Sequence, residues 1–373
     1  MSHAPSYTSS NRTLPGPNAF KLGLFGLNTD GGIAITKVPE RWRARWDDIA
    51  DVVRMADDAG FDFLLPIARW KGYGGETNVR NSCYETLTYG GALAAMTKRL
   101  FIFSTVHVPV VHPVFAAKSL STIDHVSHGR AGLNIVCGWN QAEFDMFGLS
   151  QGAHDDRYER GREWFEIVTR IYAEEGRPFD YKGRYYDLKG VSGEPPPVQR
   201  PRPFTMSAAS SPAGRAFALA TSDMLFDTFR DIEGGKAQLA AVAAASKEAG
   251  RPEPIGVCTG CHLVVRETDA EAEAYYRHYA DTNMDAGAID FHVGMTRANR
   301  IVDQVVLEDR VRRAAGLSTY KLVGTPERVA EGLIAIHRAG FAGTTLSFVN
   351  FKDELPFFIQ RVMPLLRQAG VIA

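Results

Sequence analysis

Residues 129–158, GRAGLNIVCGWNQAEFDMFGLSQGAHDDRY, hold a dense concentration of side chains able to do chemistry. A strand-length apolar run, Ala131 to Val136, contains one amide, Asn134, and ends in Cys137-Gly138-Trp139-Asn140. A parallel strand buried on both faces reads as continuous apolar residues, so an amide in its middle must find hydrogen-bond partners. Beyond the strand come Trp139, Glu143 and the pair Arg157-Tyr158. Aromatic, amide, carboxylate and cation thus gather past the C-terminal end of one strand, where α/β enzymes keep their reactive groups. A second concentration is Ser207 to Gly214, small residues leading into a helix with proline in its first turn. Bare backbone N–H groups at a positive helix end suit a phosphate, and Arg157 with the Tyr158 hydroxyl would complete a cradle. No carboxylate pair, histidine cluster or Cys–His couple falls on the strand ends at spacings that run hydrolysis or bind a metal. A phosphate cradle, an aromatic wall and few acid–base groups describe a site whose chemistry a cofactor carries.

Other motifs read as structure. Cys258-Thr259-Gly260-Cys261-His262 matches a haem-attachment pattern. It lies in a strand-like segment, where residues three apart face opposite sides, so both thiols are expected to pack rather than ligate. His107 and His112 flank a proline turn and read as satisfied structural histidines ahead of proton donors. The cluster Arg41-Trp42-Arg43 with Arg45 reads as a solvated helix face.

The elements that must position these residues alternate regularly. Strand-like segments are Lys21–Leu27, Phe61–Leu65, Phe101–Thr105, Ala131–Val136, Phe204–Met206, Met224–Phe226, Ile255–Val265 and Thr344–Phe348. Helix-like segments lie between them, among them 47–59, 85–96, 113–126, 156–174, 212–221, 232–249, 270–285 and 326–339, with 355–368 closing the chain. Eight strands alternating with helices imply parallel pairing, right-handed crossovers and a closed (β/α)8 barrel. An open doubly wound sheet is the alternative, but Asn28-Thr29-Asp30-Gly31-Gly32 after the first strand lacks the dinucleotide fingerprint. Residues 1–19 read as a flexible arm and 20–373 as one barrel domain. Within it, 282–320 is long, mixed in charge and without a clear core stripe, which suits a lid or a peripheral insertion.

The 42 Lys and Arg nearly cancel the 43 Asp and Glu without long blocks of one sign, which argues against nucleic acid or an anionic membrane as the main partner. No apolar run approaches the ~20 residues that span a bilayer, and the N-terminus lacks a secretory core, so a cytoplasmic location is expected.

On specific residues the chain resembles the bacterial luciferase-like flavin monooxygenases, in the two-component branch similar to pyrimidine and dimethylsulfone monooxygenases. The matching positions are Lys71-Gly72-Tyr73-Gly74-Gly75, Ala117-Lys118 with Thr122-Ile123-Asp124, and Gly129-Arg130. They continue through Asn134 to Trp139, Glu143, His154 to Tyr158, Ser210-Ser211 and Gly324-Thr325-Pro326. The resemblance implies an FMN-binding TIM barrel with insertions that receives reduced FMN from a separate NAD(P)H:flavin reductase. It implies that Ala68 and Arg69 flank the ring, that Asn134 and Glu143 contact the flavin, and that Arg157, Tyr158, Ser210 and Ser211 hold ribityl and phosphate. It places Thr105, Asn134 and Trp139 around the oxygen space, with Leu65 packing there. It further implies a flavin peroxide or N5-oxide that cleaves a C–N, C–S or C–halogen bond in a sulfone, sulfonate or pyrimidine-like substrate. No metal is implied, and the assembly would be a homodimer or homotetramer. Arg69 stands where a lysine is expected of the pyrimidine enzyme, and Ile33 to Lys37 and the tail look more like the sulfone enzyme. A deazaflavin-dependent dehydrogenase and a non-catalytic flavin-binding barrel are the other functional classes this scaffold suits.

Overall fold

The computed structural model describes residues 12–138, 140–150, 154–208, 211–298 and 307–373. Its strands are β1 (Lys21–Phe25), β2 (Phe63–Leu65), β3 (Phe101–His107), β4 (Ala131–Val136), β5 (Phe179–Lys182), β6 (Asp187–Val191), β7 (Phe204–Ala208), β8 (Met224–Phe226), β9 (Gly256–Val265), β10 (Tyr320–Gly324) and β11 (Gly343–Ser347). The parallel order β1-β2-β3-β4-β7-β8-β9-β11 returns to β1, so eight strands close a (β/α)8 barrel with helices between them. The eight strand-like segments of the sequence are these eight staves.

The barrel is filled from inside by large apolar residues: Phe63, Leu65, Phe101, Phe103, Phe204 and Met206 are all buried in one cluster. Gly132 on β4 makes room for them, because a Cβ there would lie 2.6 Å from the rings of Phe101 and Phe103. A second, larger cluster packs the outer strand faces against the helices, including Trp164, Phe217, Leu333 and Phe358. Cys258 faces the interior cluster and Cys261 the outer one, as two residues three apart on a strand must. Burial raises both thiols, Cys261 to about 12, and no group of metal-ligating side chains is found among the described residues.

Several elements depart from the sequence reading. The ten-residue β9 pairs with β8 at its start, β11 in its middle and β10 at its end, so β10 is a ninth strand outside the closed ring. The antiparallel pair β5–β6 was hidden between two helices of the pattern; Phe179 and Tyr181 are buried and Asp180 and Lys182 exposed, a period of two over only four residues. The described part of the expected flexible arm is held down. Leu14 is buried in the barrel's interior cluster, and Arg12 donates to the carbonyls of Arg202 and Pro203 at 2.9 and 3.2 Å. The basic cluster is no solvated helix face either. The helix begins only at Trp46; Arg41 is buried against Asp30 at 3.3 Å, and Trp42 donates its indole N–H to the Leu27 carbonyl. Within 282–320, helices Ala286–Ala298 and Leu307–Gly316 do bury a stripe: Ala288, Ile289, Val293 and Ala314 pack with Ile35, Tyr73 and Val79. Two of its four residues are alanines, which carry little periodic signal in a sequence. No described helix is long and apolar enough to cross a membrane.

Candidate active site

The C-terminal ends of β2, β3 and β4 and the connections after them form the candidate site. Thr105 and Asn134 are neighbours across the β3–β4 ladder, both buried. The Thr105 hydroxyl donates to the Pro66 carbonyl at 2.6 Å and accepts from Asn134 Nδ2 at 3.1 Å. These bonds satisfy the threonine and aim the amide. The other amide atom, Asn134 Oδ1, is buried and has no partner among the described residues. An orphaned buried carbonyl costs about 1–3 kcal/mol, and this one lies at the barrel mouth as an acceptor able to take a ligand donor. Leu65, the last residue of β2, lies in the apolar layer beneath this pair.

Glu143 is on a short helix, Gln141–Met146, rather than in the loop its sequence surroundings suggested. Asn140 caps this helix by accepting from the Ala142 N–H, an N-cap signal present in the sequence but read there as loop. The cap turns Glu143 inward, where it is 2 % exposed. Its carboxylate accepts from the Trp70 N–H at 3.0 Å and lies 3.9 Å from both Arg69 Nη1 and His107 Nδ1. Arg69 donates to the Ala68 carbonyl at 2.8 Å and to the Tyr73 hydroxyl at 3.3 Å. Burial, joined by the Arg69 charge, lowers His107 to about 3, so this imidazole is neutral at physiological pH. A cleft opens beside this group, lined by Ala68, Arg69, Thr105 and His107, with Trp70 and Tyr84 at its rim.

On the far side of β4 the helix His154–Ala173 supplies Arg157 and Tyr158. Arg157 Nη1 donates to the Gly138 carbonyl at 2.5 Å, and its Nε is buried without a partner among the described residues. Tyr158 and Ser211 share a hydrogen bond between hydroxyls at 3.4 Å. Ser211 is also the N-cap of helix Pro212–Thr221, accepting from the Gly214 N–H at 3.1 Å. Of the residues expected to form a phosphate cradle, Tyr158 and Ser211 are thus brought together from positions more than fifty apart, while Arg157 bonds to Gly138. Trp139 and Ser210, also expected here, lie outside the described residues.

Asn28 and His112 serve the frame. Asn28 is fully buried and clamps the Ile67 backbone from both sides, donating to its carbonyl at 2.8 Å and accepting from its N–H at 2.9 Å. His112 caps helix Pro113–Ser127 by accepting from the Val114 N–H. The sequence reading missed Tyr73 as the shared partner of Arg69 and Arg80, and missed the Trp70 N–H as the anchor of Glu143. Backbone donors carry no sequence signal; the run Lys71 to Arg80, rich in glycine between two cations, was the available hint.

A model of the family described as luciferase-like monooxygenase matches residues 21–343. The chain is 29 % identical over 358 residues to the FMNH2-dependent dimethylsulfone monooxygenase of Pseudomonas fluorescens (strain Pf0-1), spanning 94 % of this chain and 95 % of that protein. It is 27 % identical over 373 residues to pyrimidine monooxygenase RutA of Bradyrhizobium sp. (strain BTAi1 / ATCC BAA-1182), spanning 92 % and 96 %. Among solved structures, a riboflavin lyase (RcaE) with modified FMN and substrate riboflavin has the same fold, with a TM-score of 0.84 at 22 % identity over 95 % of this chain and 92 % of that one.

Proposed function

The chain belongs to the luciferase-like monooxygenase family, and from that premise we propose that it is a two-component FMN-dependent monooxygenase. Reduced FMN, delivered by a separate flavin reductase, supplies the electrons with which O2 is activated for insertion into a small organic substrate. The observation that carries the reading is Asn134 Oδ1, buried without a partner beside Thr105 at the C-terminal end of β4.

The chain's own residues fit such a group. The N–H groups opening helix Pro212–Thr221, with Ser211, Tyr158 and Arg157, suit a phosphate and a polyol tail. Ser210 and Trp139 complete the proposed set, on the cradle and on the oxygen side respectively. Ala68 and Arg69 border the cleft on the β2 side, and Glu143 holds that wall by accepting from the Trp70 N–H. Asn134 would accept from a ring N–H through its unpartnered oxygen, while its own N–H is held by Thr105. Thr105, Leu65 and the neutral His107 are the uncharged residues beside Asn134, and the space they border is the one proposed for oxygen. The helices of 282–320 would act as a lid over substrate.

The proposed reaction cleaves a C–N, C–S or C–halogen bond in a sulfone, sulfonate or pyrimidine-like molecule, and the relatives named for dimethylsulfone and pyrimidine support the sulfone and pyrimidine classes. The test is to supply the purified chain with reduced FMN, isotopically labelled O2 and a panel of these compounds. Mass spectrometry is expected to find one labelled oxygen in a cleaved product. No labelled product from any compound, together with no binding of reduced FMN, overturns the proposal.

A further inference from the structure

Tyr73, in the loop after β2, is 1 % exposed, and its hydroxyl oxygen accepts from Arg80 Nη1 at 2.6 Å and from Arg69 Nε at 3.3 Å. The Arg80 guanidinium also sits 4.7 Å from the centroid of the Tyr73 ring, and His292 stacks on the ring at 5.4 Å and 20°. Arg80 is as deeply buried as Tyr73. Its remaining bonds, from Nε and Nη2, go to the neutral Gly32 carbonyl at 3.4 Å. Among the described residues no carboxylate pairs with Arg80. A buried guanidinium without an anion is expensive.

The charges facing this hydroxyl can be counted element by element. Its own loop supplies Arg69 and Arg80, with Cys83 nearby as a thiol that burial keeps protonated. Helix Ala286–Ala298 supplies His292, which burial keeps neutral and which lies 3.3 Å from Arg313 Nη1 of helix Leu307–Gly316. Helix Gln141–Met146 supplies Glu143, 3.9 Å from Arg69. Arg80 has no carboxylate among the described residues, and the Tyr73 oxygen is the atom that takes a hydrogen bond from both guanidiniums. Tyr73 is therefore the group placed to supply the missing negative charge.

We propose that Tyr73 is held as a phenolate, the shared counter-ion of Arg69 and Arg80, and that it is a positioning residue that fixes the Arg69 guanidinium at the mouth cleft. The physical forces run that way: burial pushes the phenol up, but the Arg69 and Arg80 charges and their hydrogen bonds outweigh it and bring it below its ordinary value. The loop itself is anchored so that the oxygen stays put. Asp285 accepts from the Thr77 N–H at 2.7 Å and from its hydroxyl at 2.6 Å. Gly75, at φ +69, lies so close that a Cβ would be 2.2 Å from Asp285 Oδ1 and 2.5 Å from the Ala288 nitrogen. Tyr73 thereby joins the helices of 282–320 to the wall of the cleft. The ionisation stands independently of the flavin reading; the consequence for Arg69 in catalysis rests on it.

The test places 3-fluorotyrosine at position 73 in the full-length protein and follows its fluorine resonance with pH, with free 3-fluorotyrosine in the same buffer as reference. The expected result is a position-73 resonance already at its phenolate position at pH 7, where the free amino acid is mostly protonated, and moving only on acidification. A position-73 resonance at the protonated position at pH 7 overturns the phenolate. In Tyr73→Phe, the near-ultraviolet tyrosinate absorption at neutral pH is expected to vanish, and KM for reduced FMN to rise about tenfold with kcat little changed, the size of one lost charge-assisted bond. An unchanged KM in a variant that has lost the tyrosinate band overturns the positioning role. Absence of any turnover by the wild type counts against the flavin reading, while the fluorine titration still decides the ionisation. The isosteric fluorotyrosine keeps that arm decisive even where Tyr73→Phe fails to fold.

Discussion

At the N-terminal ends of the strands, Asp223 accepts from both Arg202 Nη atoms at 2.6 and 2.7 Å, from the Thr205 N–H at 2.8 Å and from the Thr205 hydroxyl at 3.2 Å. Asp57 nearby accepts from three successive N–H groups, those of Lys98, Arg99 and Leu100. At the C-terminal ends the buried polar groups are fewer-handed. Asn134 Oδ1 has no partner among the described residues, Arg157 Nε has none, and Glu143 holds Arg69 and His107 at 3.9 Å. Both ends bury polar groups under the same desolvation penalty. The first set repays that penalty within the chain and holds the barrel together. The second leaves it partly unpaid, which suits a site that a ligand completes.

The largest effect that would break this contrast is at the open end. Asn134→Ala is expected to lower oxygenation by about 10²–10³-fold, the range for removing one preorganised polar contact at a reacting group. Circular dichroism and the melting transition should show the barrel intact; undiminished turnover would remove Asn134 from the site. The matching change at the closed end is Asp223→Ala, which strands Arg202 without its anion and is expected to cost about 3–5 kcal/mol of stability. Denaturant titration reads that loss, and the folded fraction should keep its kcat. A fall in kcat without a fall in stability would mean that the two ends are not separate in function.

Protonation sharpens the contrast further. His107 at the mouth and His262 in the wall of β9 are both lowered to about 3, in each case chiefly by burial. Between the unfolded value of about 6.5 and the folded value, the unfolded chain binds protons that the folded chain refuses, so stability falls as pH falls through that window and is level above it. His107→Gln is expected to remove about 1.4 kcal/mol per pH unit of that slope near pH 5, leaving the share of His262. Denaturant midpoints measured from neutral to acid pH check this, and an unchanged slope would mean that His107 is charged in the folded protein. Smallest of all, Ser211→Ala is expected to cost about 1 kcal/mol through the lost cap on helix Pro212–Thr221. It should also weaken FMN binding severalfold in a fluorescence titration; equal affinity would move the phosphate away from this helix.

Much of the frame was legible because it rests on local chemistry. Pro212–Thr221 and Pro326–Ala339 begin and end where the sequence places them, since proline at the first turn and the serine or threonine before it are local signals. Arg41 and Trp42 were misread for the opposite reason: charge patterning suggests a solvated face, and only the distant Asp30 side chain and Leu27 carbonyl decide burial. Likewise β10 has no pattern of its own that separates it from the insertion; it exists because β9 runs on past the ring and offers an edge.

By itself, the sequence settled how many staves the barrel has and that an amide sits where an uninterrupted apolar strand was due, because period, caps and composition act over a few residues. Which buried groups meet was decided only in three dimensions. Asn134 finds Thr105, Glu143 finds the Trp70 N–H, and Tyr73 takes Arg69 and Arg80 through contacts set by barrel closure and by two inserted helices. Pairing energies of that kind depend on distance and burial, and neither quantity is written in the order of residues along a chain.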